Sequence, residues 1–165
     1  MIRKEFILLF EKYSVKILFA WIIILFVLYS MLSIVRHNNF QSGAYDLGLY
    51  DQSIWQYSQF QIPYSTIKNR IVLGDHLALT LPILSPLFWV WDDARMLLIF
   101  QAFWASLSVL PVFLLVRNRG YSSFTALCLS FVYSIFYGIQ FMVFFDFHPV
   151  ALGVGLLAWI AYFLE

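Results

Sequence analysis

The chain has 165 residues, of which 62% are hydrophobic and 21% aromatic, while only 12% are charged. With a mean hydropathy of +0.82, this composition excludes a water-soluble globular protein and predicts one membrane domain spanning residues 1–165. The net charge of +1 gives no basis for nucleic-acid binding, and a single cysteine, Cys128, excludes an internal disulfide.

Four apolar segments predict membrane helices. Residues 17–35 are uncharged and match the roughly 20 residues that a span requires. Because no small-residue cleavage site follows them, they predict a retained signal-anchor. Residues 96–116 form the second predicted helix and residues 121–138 the third. The fourth, 149–165, is shorter than a full span, so we expect that it is truncated and that the sequence is an N-terminal fragment.

A fifth apolar segment, 77–91, is short and contains two prolines, which is typical of a re-entrant or interfacial segment. If it does not cross the membrane, the basic residues of 1–16 and of 117–119 share the cytoplasmic side, as the positive-inside rule prefers. If it crossed, the basic residues of 117–119 would face outside. We therefore predict a cytoplasmic N-terminus, residues 1–16, and one external loop over residues 36–95.

Residues 47–59 of this loop have helical periodicity with one apolar and one polar face, which predicts an interfacial helix. On this projection Asp51 points with the apolar face, where a carboxylate needs an ionic partner or a chemical role. The structural alternative is a salt bridge to one of three basic residues, Arg36, Lys68 or Arg70. Asp46 precedes the helix and is its N-cap, a functional carboxylate, or both.

Two more clusters of ionisable residues lie at the edges of apolar segments. One is Asp75-His76, for which a plain surface dipeptide is the structural alternative. The other is Asp146-Phe147-His148, followed by a proline that suits the first turn of a helix. Its alternative is helix capping by Asp146, with His148 packed between aromatic side chains. Polar groups at membrane level are costly and therefore indicate function, and the predicted topology brings all three clusters to one external face.

Three motifs carry a resemblance to a known family: Tyr-Asp-Leu-Gly-Leu-Tyr-Asp-Gln at 45–52, Gly-Asp-His at 74–76 and Asp-Phe-His-Pro at 146–149. In order and spacing they resemble the predicted polytopic membrane proteins named domain of unknown function 2079, over residues 43–164. Val150 departs from the pattern, because that family often has an acidic residue there. The family is distantly similar to membrane glycosyltransferases of the GT-C type, which take sugar from a polyprenyl-phosphate donor.

The resemblance implies an all-α polytopic transmembrane bundle, with about four helices in this chain and a long first external loop. It also implies a catalytic acidic residue in that loop, by position Asp51 or Asp46. Such a carboxylate accepts the proton of the attacking hydroxyl, while positive charge or a divalent cation, Mg²⁺ or Mn²⁺, stabilises the leaving phosphate. The candidates for binding the donor phosphate or a metal are Arg36, Arg70, Asp75, His76, Asp146 and His148.

The leading hypothesis is therefore a multi-pass glycosyltransferase at the external face of a prokaryotic plasma membrane. Its expected partners are membrane lipid and a polyprenyl-phosphate sugar, with no nucleic acid. The alternative is an ion- or proton-coupled transporter with an Asp/His relay, but a relay places charged groups at mid-bilayer and this sequence places them at the edges. A membrane protein with no catalytic role is the third alternative.

Overall fold

A computed structural model of the protein describes residues 2–74 and 77–165. The first helix, α1, is continuous over Ile2–Asn38, so the predicted cytoplasmic segment 1–16 and the predicted helix 17–35 belong to one helix. The reason is that residues 2–38 contain no proline or glycine that would interrupt it. From Phe10 onward α1 is long and apolar enough to cross a membrane.

The loop that follows α1 is built from short elements. A π-helical turn, Ala44–Gly48, leads directly into α2, Leu49–Ser58, in the region where an interfacial helix was predicted. Two strands, Tyr64–Ser65 (β1) and Arg70–Ile71 (β2), then pair antiparallel. Strands of two residues are too short to give a periodic sequence pattern, so the sequence did not predict them.

The apolar segment with two prolines forms two short helices, α3 (Thr80–Leu84) and α4 (Leu87–Val90). Pro86 stands between them, and a proline cannot provide the N–H that would continue α3. An apolar groove of about 220 Å³ separates α3 from the later helices. It is lined by Thr80, Ile83, Leu84, Phe100, Trp104, Leu152 and Leu156. Whether the segment enters the bilayer or lies on it stays a prediction.

The second predicted membrane helix is divided into α5, Arg95–Leu107, and α6, Val109–Asn118. Together they form one apolar span, interrupted at Ser108. Pro111 explains the break, because its ring clashes with the carbonyl four residues earlier and removes one helical hydrogen bond. The Ser108 hydroxyl donates to the Ala105 carbonyl at 2.6 Å.

The third predicted helix, 121–138, is a pair of helices bent by 44°. These are α7, Ser123–Ser134, and α8, Tyr137–Phe145. A helix break leaves carbonyl groups without intrahelical partners, and here the Gln140 amide donates to the Ile135 carbonyl at 2.6 Å. Because α8 continues to Phe145, the chain remains helical beyond residue 138, the predicted end. A 3₁₀ turn, Pro149–Ala151, leads into α9, Leu152–Phe163.

These helices pack around two apolar cores. The larger core joins α1 to α5–α8 through Leu18, Ile22, Leu25, Tyr29, Ala102, Ala105, Val109, Phe113, Ala126, Leu127, Ile139 and Val143. The smaller core lies under the loop, where Ile54, Leu81 and Phe147 are completely buried. Within the part of the chain that the structure describes, two helices are suited to cross a membrane, and the bent pair would be a third. The prediction of an all-α membrane helix bundle is confirmed.

Polar contacts define one end of this bundle. Glu11 of α1 lies 3.5 Å from the Arg117 guanidinium at the end of α6 and accepts hydrogen bonds from the N–H and hydroxyl of Ser123, the first residue of α7. Arg119 pairs with Glu165, just beyond α9. The long loop and the segment between α8 and α9 therefore lie at the opposite end. Which end is cytoplasmic stays a prediction from the charge distribution.

Candidate functional site

The segment between α8 and α9 is extended. Asp146 ends α8 at φ −169° and ψ −179°, and His148 has φ −135° and ψ 131°. Pro149 favours this conformation in the residue before it and suits the first position of the 3₁₀ turn that follows. Because side chains alternate along extended backbone, Phe147 enters the smaller core, completely buried, while Asp146 and His148 point together to the other side.

His148 contacts Asp46, which lies in the π-helical turn before α2. The imidazole Nε2 is 3.0 Å from Asp46 Oδ1, and the two side chains are 27% and 30% exposed. The His148 ring also lies against the Phe145 and Tyr50 rings, with centroid separations of 5.3 and 5.7 Å. Packing between aromatic side chains and contact with a carboxylate thus occur together at this histidine.

Asp146 joins the same group of side chains through Gly43. It is 4% exposed, and its Oδ2 accepts a hydrogen bond from the Gly43 N–H at 2.8 Å. A methyl group placed on Gly43 would lie 3.1 Å from Asp46 Oδ2 and 3.7 Å from Asp146 Oδ2. The two carboxylates therefore approach a common point, and we call Asp46, Asp146 and His148 the carboxylate–imidazole cluster.

Helix capping does not explain these carboxylates. The residue that precedes the π-helical turn is Gly43, not Asp46, and the 3₁₀ turn before α9 is preceded by His148. Within the described ranges, neither of these two starts donates a backbone N–H to a capping side chain. The capping alternatives for Asp46 and Asp146 are therefore not realised.

Gln101, in α5, is a residue that sequence reasoning missed. It is 2% exposed, and its amide Nε2 donates to the carbonyl oxygens of Met142 and Asp146 at 3.1 and 2.9 Å. Its Oε1 accepts the backbone N–H of His148 at 3.0 Å. A lone amide inside a predicted apolar span was the signal that could have identified it.

Asp51 has different surroundings from Asp46. It is half-buried on α2, and burial, followed by the negative charges of Asp92 and Asp93, raises its pKa from 3.8 to about 6. Asp92 accepts a hydrogen bond from Trp55 at 3.2 Å, and Asp93 pairs with the arginine that begins α5. At neutral pH Asp51 is mostly ionised but is a stronger base than an ordinary carboxylate, so it too can accept a proton.

The predicted phosphate- or metal-binding residues have varied positions. The Arg36 guanidinium donates to the Gln41 carbonyl at 3.0 Å and lies 5.9 Å from the centroid of the Phe145 ring, one aromatic ring away from His148. Arg70 is exposed on β2. Asp75 and His76 lie outside the described residues. Among the residues that are described, no group of three or more His, Cys, Asp or Glu has an arrangement that would hold a metal ion.

Two cavities meet at His148. The first, of about 390 Å³, is lined by Tyr50, Leu77, Ala78, His148, Pro149 and Val150. The second, of about 230 Å³, is lined by Phe141, Met142, Phe145, His148, Val150 and Ala151. Their walls are largely apolar, so the His148 imidazole offers a polar contact to a molecule held mainly by apolar surfaces. This combination is typical of binding sites.

Comparison with known proteins identifies one family. Residues 36–165 match the family described as predicted membrane protein (DUF2079), a match that includes the complete carboxylate–imidazole cluster. No curated protein and no solved structure matches the chain. Since the matched region covers most of the sequence, the chain belongs to the DUF2079 family of predicted membrane proteins.

Proposed function

We propose that this protein is an integral-membrane glycosyltransferase of the GT-C type, which takes its sugar from a polyprenyl-phosphate-linked donor at the external face of the membrane. The observation that carries the proposal is the 3.0 Å contact between Asp46 and His148 at one end of a membrane helix bundle. A carboxylate held by an imidazole, and partly shielded from water, is suited to accept a proton from a bound hydroxyl group.

The reaction forms a bond between the acceptor hydroxyl oxygen and the anomeric carbon of the sugar, and it breaks the bond from that carbon to the phosphate oxygen. The electron pair of the broken bond remains on the phosphate, and the hydroxyl proton passes to Asp46. When the His148 Nε2–H donates to Asp46 Oδ1, the other carboxylate oxygen is left as the acceptor. General-base catalysis of this kind contributes about 10²–10⁴-fold in rate.

Two features support a lipid-linked phosphate as the donor. Arg36, one aromatic ring away from His148, supplies positive charge that would stabilise the departing phosphate. The apolar groove between α3, α5 and α9 is lined by Thr80 and Leu152 among others. Each of these residues follows by two positions a residue that lines the larger cavity at His148, Ala78 or Val150. A hydrocarbon chain in the groove would therefore bring its phosphate towards the carboxylate–imidazole cluster.

Asp51 is the second candidate for the base. Its pKa of about 6 is close to neutral pH, where a general base is most effective. Asp46 is preferred because it contacts His148, whereas Asp51 lies near the acidic residues that precede α5.

Transfer assays with the full-length protein in membranes test this proposal. The donors are a panel of radiolabelled polyprenyl-phosphate sugars, and the product is labelled acceptor. Asp46→Asn should reduce transfer at least about 100-fold, because an amide cannot accept the proton, and the melting temperature should remain close to wild type. Asp92→Asn, which changes another acidic residue of the same loop, is the matched control and should retain activity.

Two results would contradict the proposal. If folded wild-type protein transferred sugar from none of these donors, the glycosyltransferase function would be wrong. If Asp46→Asn were fully active, Asp46 would not be the base, and loss of transfer in Asp51→Asn would assign that role to Asp51.

A further inference from the structure

We propose that Gln101 is a positioning residue, whose amide fixes the backbone of residues 146–148 so that His148 meets Asp46. The inference rests on the proposed function for its catalytic consequence, but the positioning itself does not depend on which reaction the site performs. No sequence motif suggested this role, because Gln101 lies in α5, more than forty residues before the segment that it holds.

The first reason is the energetic situation of the side chain. Gln101 is almost completely buried in a span suited to cross a membrane, and a buried amide without partners is strongly unfavourable. Here both ends of the amide are used: the nitrogen donates to two carbonyl groups and the oxygen accepts one N–H. Since the amide bonds to backbone groups, these contacts depend on the conformation of the chain and not on the side chains of residues 142, 146 and 148.

The second reason is that these backbone groups lie where α8 ends. The last carbonyl groups of a helix have no partner inside the helix, and α8 ends at Phe145 as the chain becomes extended. Pro149 cannot supply an N–H to any of them. Gln101 replaces the missing helical hydrogen bonds at Met142 and Asp146 and, through the same amide, holds the N–H of His148.

The geometric consequence reaches the carboxylate–imidazole cluster. With the backbone of residues 146 and 148 fixed, extended geometry sends both side chains to one side, where Asp146 meets Gly43 and His148 meets Asp46. Without the amide, Asp146 retains its bond to Gly43, but His148 loses the contact that sets its backbone. His148 should then leave Asp46 for part of the time and become more accessible.

Chemical modification of histidine tests this consequence in the full-length protein. The rate at which diethyl pyrocarbonate modifies His148 is measured by peptide mass spectrometry, with His37 as an internal reference, well below the melting temperature. In Gln101→Leu the rate at His148 relative to His37 should rise several-fold. Gln140→Leu is the matched control, because it removes an exposed amide of α8 that bonds to the nearby Ile135 carbonyl, and it should leave the ratio unchanged.

Gln101→Glu provides a second variant if Gln101→Leu does not fold. When protonated, its carboxyl group offers a donor and an acceptor and should protect His148; when ionised, it repels the carbonyl oxygens of Met142 and Asp146. The ratio of His148 to His37 modification should therefore increase with pH more steeply than in wild type. An unchanged ratio in a folded Gln101 variant, or an equal rise in Gln140→Leu, would overturn the positioning role.

An activity measurement separates this inference from the proposed function. If the protein transfers sugar, Gln101→Leu should lower kcat with little change in KM, since Gln101 is buried and lines neither of the cavities at His148. Unaltered kcat in a variant with increased His148 modification would overturn the catalytic consequence. If the wild-type protein transfers no sugar, the proposed function fails, while the modification experiment still decides whether Gln101 positions His148.

Discussion

Replacement of Asp51 by asparagine should stabilise the folded protein at neutral pH. Burial and the nearby charges of Asp92 and Asp93 raise the pKa of Asp51 from 3.8 to about 6, so the folded state holds the proton more tightly than the unfolded state. The stability associated with the protonated carboxyl is fully present below about pH 4 and is lost as pH rises through about 6. An asparagine is neutral at every pH and avoids this loss.

The size of the effect follows from the pKa difference. One pKa unit corresponds to about 1.4 kcal/mol, so the change from 3.8 to about 6 sets an upper value of roughly 3 kcal/mol at neutral pH. The substitution also removes a negative charge from the first turn of α2, where the helix dipole favours an anion by about 0.5 kcal/mol. A net gain of about 1–2.5 kcal/mol in the free energy of unfolding is therefore expected.

Unfolding of the wild type and of Asp51→Asn is measured in detergent micelles at a series of pH values. The two curves should converge below about pH 4, separate between about pH 4 and pH 6, and keep a constant difference above that range. Asp92→Asn should give a smaller gain over the same pH range, because it removes one of the charges that raise the pKa of Asp51. A destabilised Asp51→Asn protein at neutral pH, or a difference independent of pH, would refute this reasoning and indicate that the Asp51 charge has a stabilising partner.

Two other results are expected from the same geometry. Gly43→Ala should lower the free energy of unfolding by about 1–2 kcal/mol, because its methyl group would lie 3.1 Å from Asp46 Oδ2. Gly48→Ala is the control and should be near wild type, because its methyl group would meet nothing closer than 3.9 Å. Equal melting temperatures for the two variants would contradict the close approach at Gly43. In a Cys128→Ser background, cysteines at Gln61 and Asn118 should react with an impermeant maleimide from outside and from inside respectively, and labelling of both from outside would exclude the predicted topology.

The helix bundle could be predicted from the sequence because apolar runs and charge placement directly reflect the membrane. The bends could not be predicted as easily. Pro111 was a visible signal for the break at Ser108, but an isolated proline is also tolerated in membrane helices. The bend between α7 and α8 is accompanied by a hydrogen bond from the Gln140 side chain to the Ile135 carbonyl, a contact that no sequence period reveals.

The site was predictable in part. Charge bias and the apolar runs were sufficient to predict that Asp46 and His148 share one end of the bundle, while the third predicted cluster, Asp75-His76, lies outside the described residues. Which acidic residue meets His148 was not predictable, because the sequence predicted a helix only from residue 47, and Asp46 was placed before it with no defined direction. The turn Ala44–Gly48 is π-helical, and a π turn rotates each residue less than an α turn does, so the structure brings Asp46, and not Asp51, to His148.

Convergence of residues 46 and 148 underlies both the proposed transfer and the role of Gln101, and cross-linking measures it most directly. A short bifunctional thiol reagent is applied to an Asp46→Cys, His148→Cys double variant in a Cys128→Ser background, in native membranes. An Asn118→Cys, His148→Cys pair, at opposite ends of the bundle, is the control. Efficient cross-linking of the first pair and none of the second is predicted, because the native side chains are 3.0 Å apart. Failure of the first pair to cross-link, with both cysteines reactive, would contradict the existence of the carboxylate–imidazole cluster.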